Sequence, residues 1–243
     1  MSPPRIAGSL HAPRLAVDDE RIARVVAGFE SVFPGARLDH EVTPALTAQR
    51  ASDRDELLRD AAARRELPFL FTGDDARYLA LRGNELPGPL APGGEPLWEI
   101  WLSMPIAEGL ARLEEAIANV GRAAGAFWGA ASPDRAAAII ASQVVHPRQP
   151  RPLPAGLPGL LSPDRLARAS IPHRLGWINY WSEATARELD FPGAADPALL
   201  ARSHAIDGAW LVRLTDDPLD LARPDHLAAL RDAYDRFAAI GRR

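Results

Sequence analysis

The sequence predicts an α+β fold: a single compact unit of two intimate lobes, in which a mixed or mainly antiparallel sheet packs against helices. Segments with strand-like and helix-like apolar spacing follow one another along the chain. They lack the regular strand–helix–strand alternation of a doubly wound fold. The composition, 47% apolar and 25% charged over 243 residues, is that of an ordinary globular protein. A chain of this length buries roughly 70–75% of its unfolded surface.

Strands and helices are predicted in turn through the N-terminal lobe, residues 1–145. The predicted strands are 5–10, 37–42, 67–71 and 97–104, and the predicted helices begin at Asp18, Ser52, Leu110 and Ser132-Pro133, the last running to about Val145. The strand 97–104 carries apolar side chains on both faces, which predicts that both faces are covered. The spacing of Gly121, Gly125 and Gly129 favours close packing or helix termination over a phosphate loop.

A proline-rich connector is predicted at 146–170, followed by a C-terminal lobe at 171–243. Six prolines between 146 and 163 indicate an extended segment rather than a flexible linker. In the C-terminal lobe, Ser182, Asp196-Pro197 and Pro224 mark helix starts. The strand 208–215 places Trp210, Val212 and Leu214 on one face. We therefore expect Trp210 to be buried, so that its truncation would cost about 3–5 kcal/mol.

Composition excludes several classes of chemistry. The chain has no Cys and no Lys, since all 28 basic residues are Arg. Disulfides, thiol nucleophiles, Cys-based metal sites and lysine-dependent catalysis are thereby excluded. The spacing of the six His shows no metal signature, and we predict that the protein needs no metal and no cofactor.

The charge and hydropathy of the chain limit the location and the partners that we expect. A net charge of −4 argues against a nucleic-acid-coating protein. Residues 1–10 have no apolar stretch typical of a secretory signal, and no run is long and apolar enough to span a membrane. We therefore expect a cytoplasmic protein that binds neither nucleic acid nor membrane.

The candidate catalytic residues are scattered through the C-terminal lobe. They are His173, Asn179, His204, Asp216, Asp217 and His226. A hydrolase could use a His as base and an Asp to orient it. The alternative is structural: Asp216-Asp217-Pro218 is typical of a turn after a strand, and His226 falls in the first turn of a helix.

Two features suggest binding to another protein. Trp177 and Trp181 fall on one face in a helix or a strand, with Asn179 between them, and Trp and Tyr dominate interface hot spots; core packing is the alternative. From 183 to 236 the chain has eleven acidic residues and six Arg, including Asp216, Asp217 and Asp220. Such a surface is either merely solvated or suited to a basic partner.

Two stretches carry a family resemblance. They are His173-Arg-Leu-Gly-Trp-Ile-Asn-Tyr-Trp-Ser182 and Gly208-Ala-Trp-Leu-Val-Arg-Leu-Thr-Asp-Asp-Pro218, followed by Pro224-x-His226-Leu and Tyr234-Asp-Arg-Phe237. Together they resemble a bacterial family of unknown function that is itself similar to the Immunity protein 52 family of polymorphic toxin systems. The resemblance implies a cytoplasmic protein that binds and neutralises a cognate toxin, often a nuclease.

Three functional hypotheses follow. The first is a non-enzymatic, immunity-like protein whose partner-binding residues are Trp177, Asn179, Trp181, Asp216, Asp217 and Asp220. The second is a regulatory or structural binding module with another partner. The third is a hydrolase-type enzyme that uses His204, Asp216 and His226.

Overall fold

The computed structural model describes residues 4–43, 47–74, 77–145, 153, 156–194 and 196–242. Most of the proline-rich part of the predicted connector, 146–152 and 154–155, lies outside the described residues. The strands are β1 (Arg5–Pro13), β2 (His40–Val42), β3 (Ala48–Arg50), β4 (Leu67–Phe71), β5 (Ala80–Leu86), β6 (Leu97–Pro105), β7 (Trp128–Pro133), β8 (Ile178–Ser182), β9 (His204–Ile206) and β10 (Ala209–Arg213). The helices are α1 (Arg21–Glu30), α2 (Arg54–Arg64), α3 (Leu110–Ala124), α4 (Asp134–Ala141), α5 (Glu183–Glu188), α6 (Pro197–Leu200) and α7 (Pro224–Arg236).

All ten strands of the described residues belong to one antiparallel sheet in the order β3-β2-β4-β5-β6-β1-β7-β8-β10-β9. The predicted α+β class with a mainly antiparallel sheet is therefore confirmed. β1 lies at the centre, paired on one side with β6 and on the other with β7. β7 in turn pairs with β8, so the sheet continues from the N-terminal half of the chain into the C-terminal half.

One face of the sheet packs against α3, which in turn packs against α1. Leu10, Gly129 and Tyr180 lie side by side on this face. A Cβ at Gly121 of α3 would lie 2.7 Å from the Tyr180 ring, and one at Gly129 would lie 2.7 Å from Leu10 Cγ. Gly125 ends α3 with φ of +63°, a conformation that favours glycine. The prediction that these glycines serve close packing and helix termination is confirmed.

The opposite face carries a row of rings contributed by neighbouring strands. His11, Trp128, Trp181 and Trp210 are in register across β1, β7, β8 and β10. The segment before β8 covers this row, since Trp128 Nε1 donates to the Ala169 carbonyl at 3.0 Å. Phe237, directly after α7, also packs against this row, at 5.0 Å between its ring centroid and that of Trp181.

Four strands, β3, β5, β7 and β9, were not predicted from the sequence, and the segment of β8 was left open between helix and strand. β5 contains Gly83 and several polar residues, and β7 consists largely of Gly, Ala and Ser, which have low strand propensity. Both form because they pair with a strand on each side. The predicted strand 37–42 is only the three-residue β2.

The predicted start of α4 at Ser132-Pro133 is also corrected. Ser132 belongs to β7, and its hydroxyl accepts a hydrogen bond from the Trp177 amide at 2.9 Å instead of capping the helix. Pro133 flanks the helix, which begins at Asp134 and ends at Ala141 rather than near Val145.

Trp210 is half-buried, which corrects the expectation that it lies wholly in the core. Its strand neighbours Leu211 and Val212 are both buried. Trp210 lies on β10, one strand from the sheet edge, and its ring is perpendicular to that of Phe191, at 5.2 Å between centroids.

Candidate functional site

The loop 214–223, which we call the acidic loop, connects β10 to α7 and carries Asp216, Asp217 and Asp220. All three carboxylates are exposed: Asp216 retains 77% and Asp217 retains 69% of side-chain accessibility. The backbone beneath them is fixed. Trp177 Nε1 donates to the Thr215 carbonyl at 2.9 Å, and Leu219 is buried.

Arginines offset part of the charge of the acidic loop. Arg223 pairs with Asp217 at 3.1 Å and with Asp225 at 2.6 Å, and these carboxylates raise the pKa of the guanidinium. The Arg223 guanidinium in turn lowers the pKa of Asp225 to about 2. Arg213 lies 3.5 Å from Asp216. The carboxylates of the three loop aspartates and of Asp225 thus outnumber the guanidinium groups of Arg213 and Arg223 by four to two. The surface therefore keeps a net negative charge.

The aromatic candidates lie in the core. Trp177, Asn179 and Trp181 are at most 1% exposed, so they cannot form an exposed binding surface in this structure. Trp181 packs edge-to-face against Phe191 and Phe237, at 5.4 and 5.0 Å between centroids. This corrects the expectation of an aromatic anchor for a partner; the alternative, core packing, describes these side chains.

The Asn179 side chain hydrogen-bonds to backbone groups around it. Its amide nitrogen donates to the carbonyls of Gly176 and Val212, and its oxygen accepts from the Gly176 amide at 2.8 Å. An asparagine held by three such bonds fixes the turn that leads into β8.

The hydrolase candidates do not form a catalytic constellation. His204 lies exposed on the edge strand β9, whereas His226 is buried in the first turn of α7. The His226 Nδ1 already accepts a hydrogen bond from the Asp220 amide at 3.0 Å. In the described part of the chain, no hydrogen bond or ion pair joins any two of His204, Asp216 and His226.

Two buried histidines and two half-buried charged side chains lie together on the opposite side of the sheet from α3. His11 stacks on Trp128 with 4.1 Å between ring centroids, and His173 meets both rings edge-on at 5.0 and 4.7 Å. Glu99 lies beside His11 in register, with 3.7 Å between Nε2 and Oε1. We call His11, Glu99, His173 and Arg174 the buried polar cluster.

Burial sets the protonation of this cluster. Burial, together with the nearby Arg174 guanidinium, lowers the pKa of His11 to about 3. The pKa of His173 is lowered well below its ordinary value for the same reasons. Burial raises the pKa of Glu99, while Arg174 opposes that rise. Both imidazoles are therefore neutral near pH 7, and among the described residues His11 has no hydrogen-bond partner for either ring nitrogen.

Sequence analysis missed most of this cluster because its members are far apart in the chain. His173 was a candidate, but His11 is 162 residues away from it. The available signal was the alternation in β1, where Ser9 and His11 fall on the face opposite Leu10.

A cleft lies next to the cluster, between α4 and the sheet strands β1 and β7. Its volume is about 270 Å³, and Ser9, Trp101, Asp134 and Arg174 supply its larger or polar walls. Arg174 Nη2 donates to Ser9 Oγ at 2.8 Å. We call this space the α4 cleft.

Among the residues that the structure describes, no group of three or more His, Asp or Glu is arranged to hold a metal ion. In the same residues, no helix combines the length and the apolar character needed to cross a bilayer.

Comparison with known proteins adds the family and leaves the activity open. No curated protein matches the sequence. The family model described as "Domain of unknown function (DUF5953)" matches residues 17–243, which is nearly the whole chain. The chain therefore belongs to the DUF5953 family.

Proposed function

We propose that the protein is a non-enzymatic binding protein of the immunity type, which neutralises a toxin domain by contacting it through the acidic loop. The observation that carries this proposal is the exposure of Asp216 and Asp217 on a loop whose backbone is fixed from below. A rigid surface loses little conformational freedom when it binds a partner.

The charge of the acidic loop indicates the chemistry of the partner. Nuclease active sites carry cationic side chains because they hold phosphates, and exposed carboxylates can occupy the same positions. Opposite charges also accelerate association, to an extent that falls as salt screens them. A basic nuclease domain is therefore the partner that this surface fits best.

Other observations agree with a binding role. The resemblance of 173–182 and 208–218 to the family similar to Immunity protein 52 supports it. The hydrolase alternative loses support because His226 is buried and its Nδ1 is already engaged. A binding module with a different partner is the remaining alternative.

The proposal predicts that charge reversal in the acidic loop slows binding. We expect the double variant Asp216→Arg/Asp217→Arg to associate with a cognate toxin domain at least roughly tenfold more slowly than the wild type at low salt, since steering contributes factors of about 10–10³. Stopped-flow or surface plasmon resonance kinetics at several salt concentrations measure this, and survival of cells that express the toxin gives the biological result.

A matched control variant reverses the charge of two exposed acidic side chains outside the acidic loop. Asp60→Arg/Glu66→Arg changes the net charge by the same amount on and just after α2 and should leave the association rate much less affected. No binding of the toxin domain by the wild type contradicts the immunity proposal. Unchanged kinetics in a folded loop variant place the interface elsewhere.

A further inference from the structure

We propose that the α4 cleft binds a small apolar carboxylate, whose charged group pairs with the Arg174 guanidinium. This proposal does not rest on toxin binding, because the cleft shares no residue with the acidic loop.

Small side chains create the cleft. The wall on the sheet includes Ala7 and Ala130, and the wall on α4 includes Ala137 and Ala141, so neither surface reaches across the space between them. At about 30 Å³ per water in the liquid, a volume of 270 Å³ corresponds to about nine waters. The space suits a ligand of about that many non-hydrogen atoms with an apolar body.

Arg174 supplies a cation that is incompletely paired. A guanidinium has five N–H donors. Among the described residues, Arg174 makes one hydrogen bond, to Ser9, and has no carboxylate within 4.0 Å. Burial lowers its pKa, and Glu99 offsets this only from beyond ion-pair distance. Arg174 is half-buried, and an anion in the cleft would give its guanidinium the close counter-ion that it lacks.

Trp101 positions the cation against the cleft. The Arg174 Cζ lies 6.0 Å from the centroid of the Trp101 ring, which limits the directions in which the guanidinium can point. The same ring lines the cleft and offers a flat apolar wall to the body of the ligand. The charged and apolar parts of one small molecule would therefore find separate partners.

The cleft fits a carboxylate better than a phosphate. One guanidinium can bind a carboxylate through two parallel hydrogen bonds. A phosphate carries more charge and needs more donors, whereas the remaining polar groups of the cleft are the hydroxyls of Ser9 and Ser132 and the carboxylate of Asp134. Asp134 would repel a dianion more strongly than a monoanion.

Calorimetric titration with benzoate and hexanoate tests the proposal, with benzamide as the neutral analogue of benzoate. We expect saturable binding of at least one acid. Benzamide should bind at least roughly tenfold more weakly than benzoate, because a charge-assisted hydrogen bond is lost. Arg174→Gln should weaken binding of the acid by a similar factor. Ala137→Leu, which keeps Arg174 but fills the cleft, should abolish binding.

The control variant is Arg187→Gln, an arginine whose side chain is 73% exposed on α5, and it should bind the acid like the wild type. Thermal unfolding of each variant establishes that it is folded; if Arg174→Gln is not, Ala137→Leu and the amide decide the question. Equal binding of acid and amide, or no binding of either acid, overturns the proposal. Inorganic phosphate binding as tightly as benzoate overturns the ligand class.

Discussion

At the scale of single residues, the neutral histidines of the buried polar cluster are the feature with the clearest physical consequence. His11 and His173 are at most 5% exposed and lie against Trp128. Arg174 is the cation next to both of them. Protonating either ring would place a second positive charge beside the guanidinium in a site that excludes water. The cluster therefore links the folded state to pH.

We predict that stability falls as the pH drops below about 6.5, the ordinary pKa of histidine. The folded-state pKa of His11 is lowered to about 3, so between these values His11 binds one more proton in the unfolded chain than in the folded chain, and His173 acts in the same direction. This contribution to stability is complete above the unfolded pKa and is lost at about 1.4 kcal/mol per pH unit below it.

Replacing His11 isolates this contribution. His11→Phe keeps a ring against Trp128 and should flatten the pH dependence by about 1.4 kcal/mol per pH unit between pH 6 and 4. Urea unfolding at several pH values measures the slope. The exposed His204→Gln serves as the control and should leave the slope unchanged. Equal slopes in His11→Phe and wild type would contradict the prediction.

At the scale of elements, β8 and β10 show how position in the sheet sets the importance of a side chain. Trp181 and Trp210 face each other in register, but only Trp181 is fully buried. Trp181 lies between two phenylalanines, whereas Trp210 meets one of them at its edge and keeps part of its ring in water.

The two tryptophans should therefore differ in the cost of truncation. We expect Trp181→Ala to lower the free energy of unfolding by about 3–5 kcal/mol, as for large aromatic truncations in cores. Trp210→Ala should cost about 1–3 kcal/mol, since less apolar area is removed from contact. Chemical denaturation of the two variants compares them directly. The prediction is wrong if Trp210→Ala lowers the free energy of unfolding more than Trp181→Ala does, because the cost of truncation would then not follow burial.

The elements that sequence analysis identified carry strong local signals. Ser182 was predicted to cap a helix, and its hydroxyl accepts from the Thr185 amide at 3.2 Å. Pro224 was predicted to open α7 and does so. β7 has no such signal, because its Gly and Ala residues form a strand only when β1 and β8 are in place on either side.

The candidate site could be predicted only in part. The acidic loop was found because its aspartates follow one another and precede a proline, a pattern that marks an exposed turn. The buried polar cluster and the α4 cleft depend on long-range pairing, since Ser9 and Arg174 meet across 165 residues of chain. Periodicity within a short window carries no information about such contacts.

At the scale of the whole molecule, the predicted lobes share one sheet. β8 of the C-terminal lobe pairs with β7 of the N-terminal lobe, from Ile178 opposite Ala131 to Trp181 opposite Trp128. The Tyr234 hydroxyl of α7 hydrogen-bonds Gln143 Oε1 at 3.2 Å, from the other side of the predicted connector. These contacts cross the boundary between 145 and 171 and favour one cooperative unit.

We predict that the segment 171–243 does not fold alone. Without β7, an edge of β8 is unpaired, and the ring row loses Trp128. The isolated segment should lack a cooperative thermal transition by circular dichroism, whereas the full chain should unfold in coincident transitions by circular dichroism and tryptophan fluorescence. A sharp melting transition in the isolated segment would show that the C-terminal lobe is autonomous.

The two outermost strands, β3 and β9, have a consequence for how copies of the protein meet. Each has only three residues, and they carry Arg50 and His204 in exposed positions. Long, flat, apolar edges recruit further strands and seed fibrils, whereas short edges with polar side chains offer few backbone groups for such templating. A second copy of the protein therefore finds few free backbone groups on β3 or β9 to which one of its own strands could add. A wide sheet with such edges can stay monodisperse at high concentration.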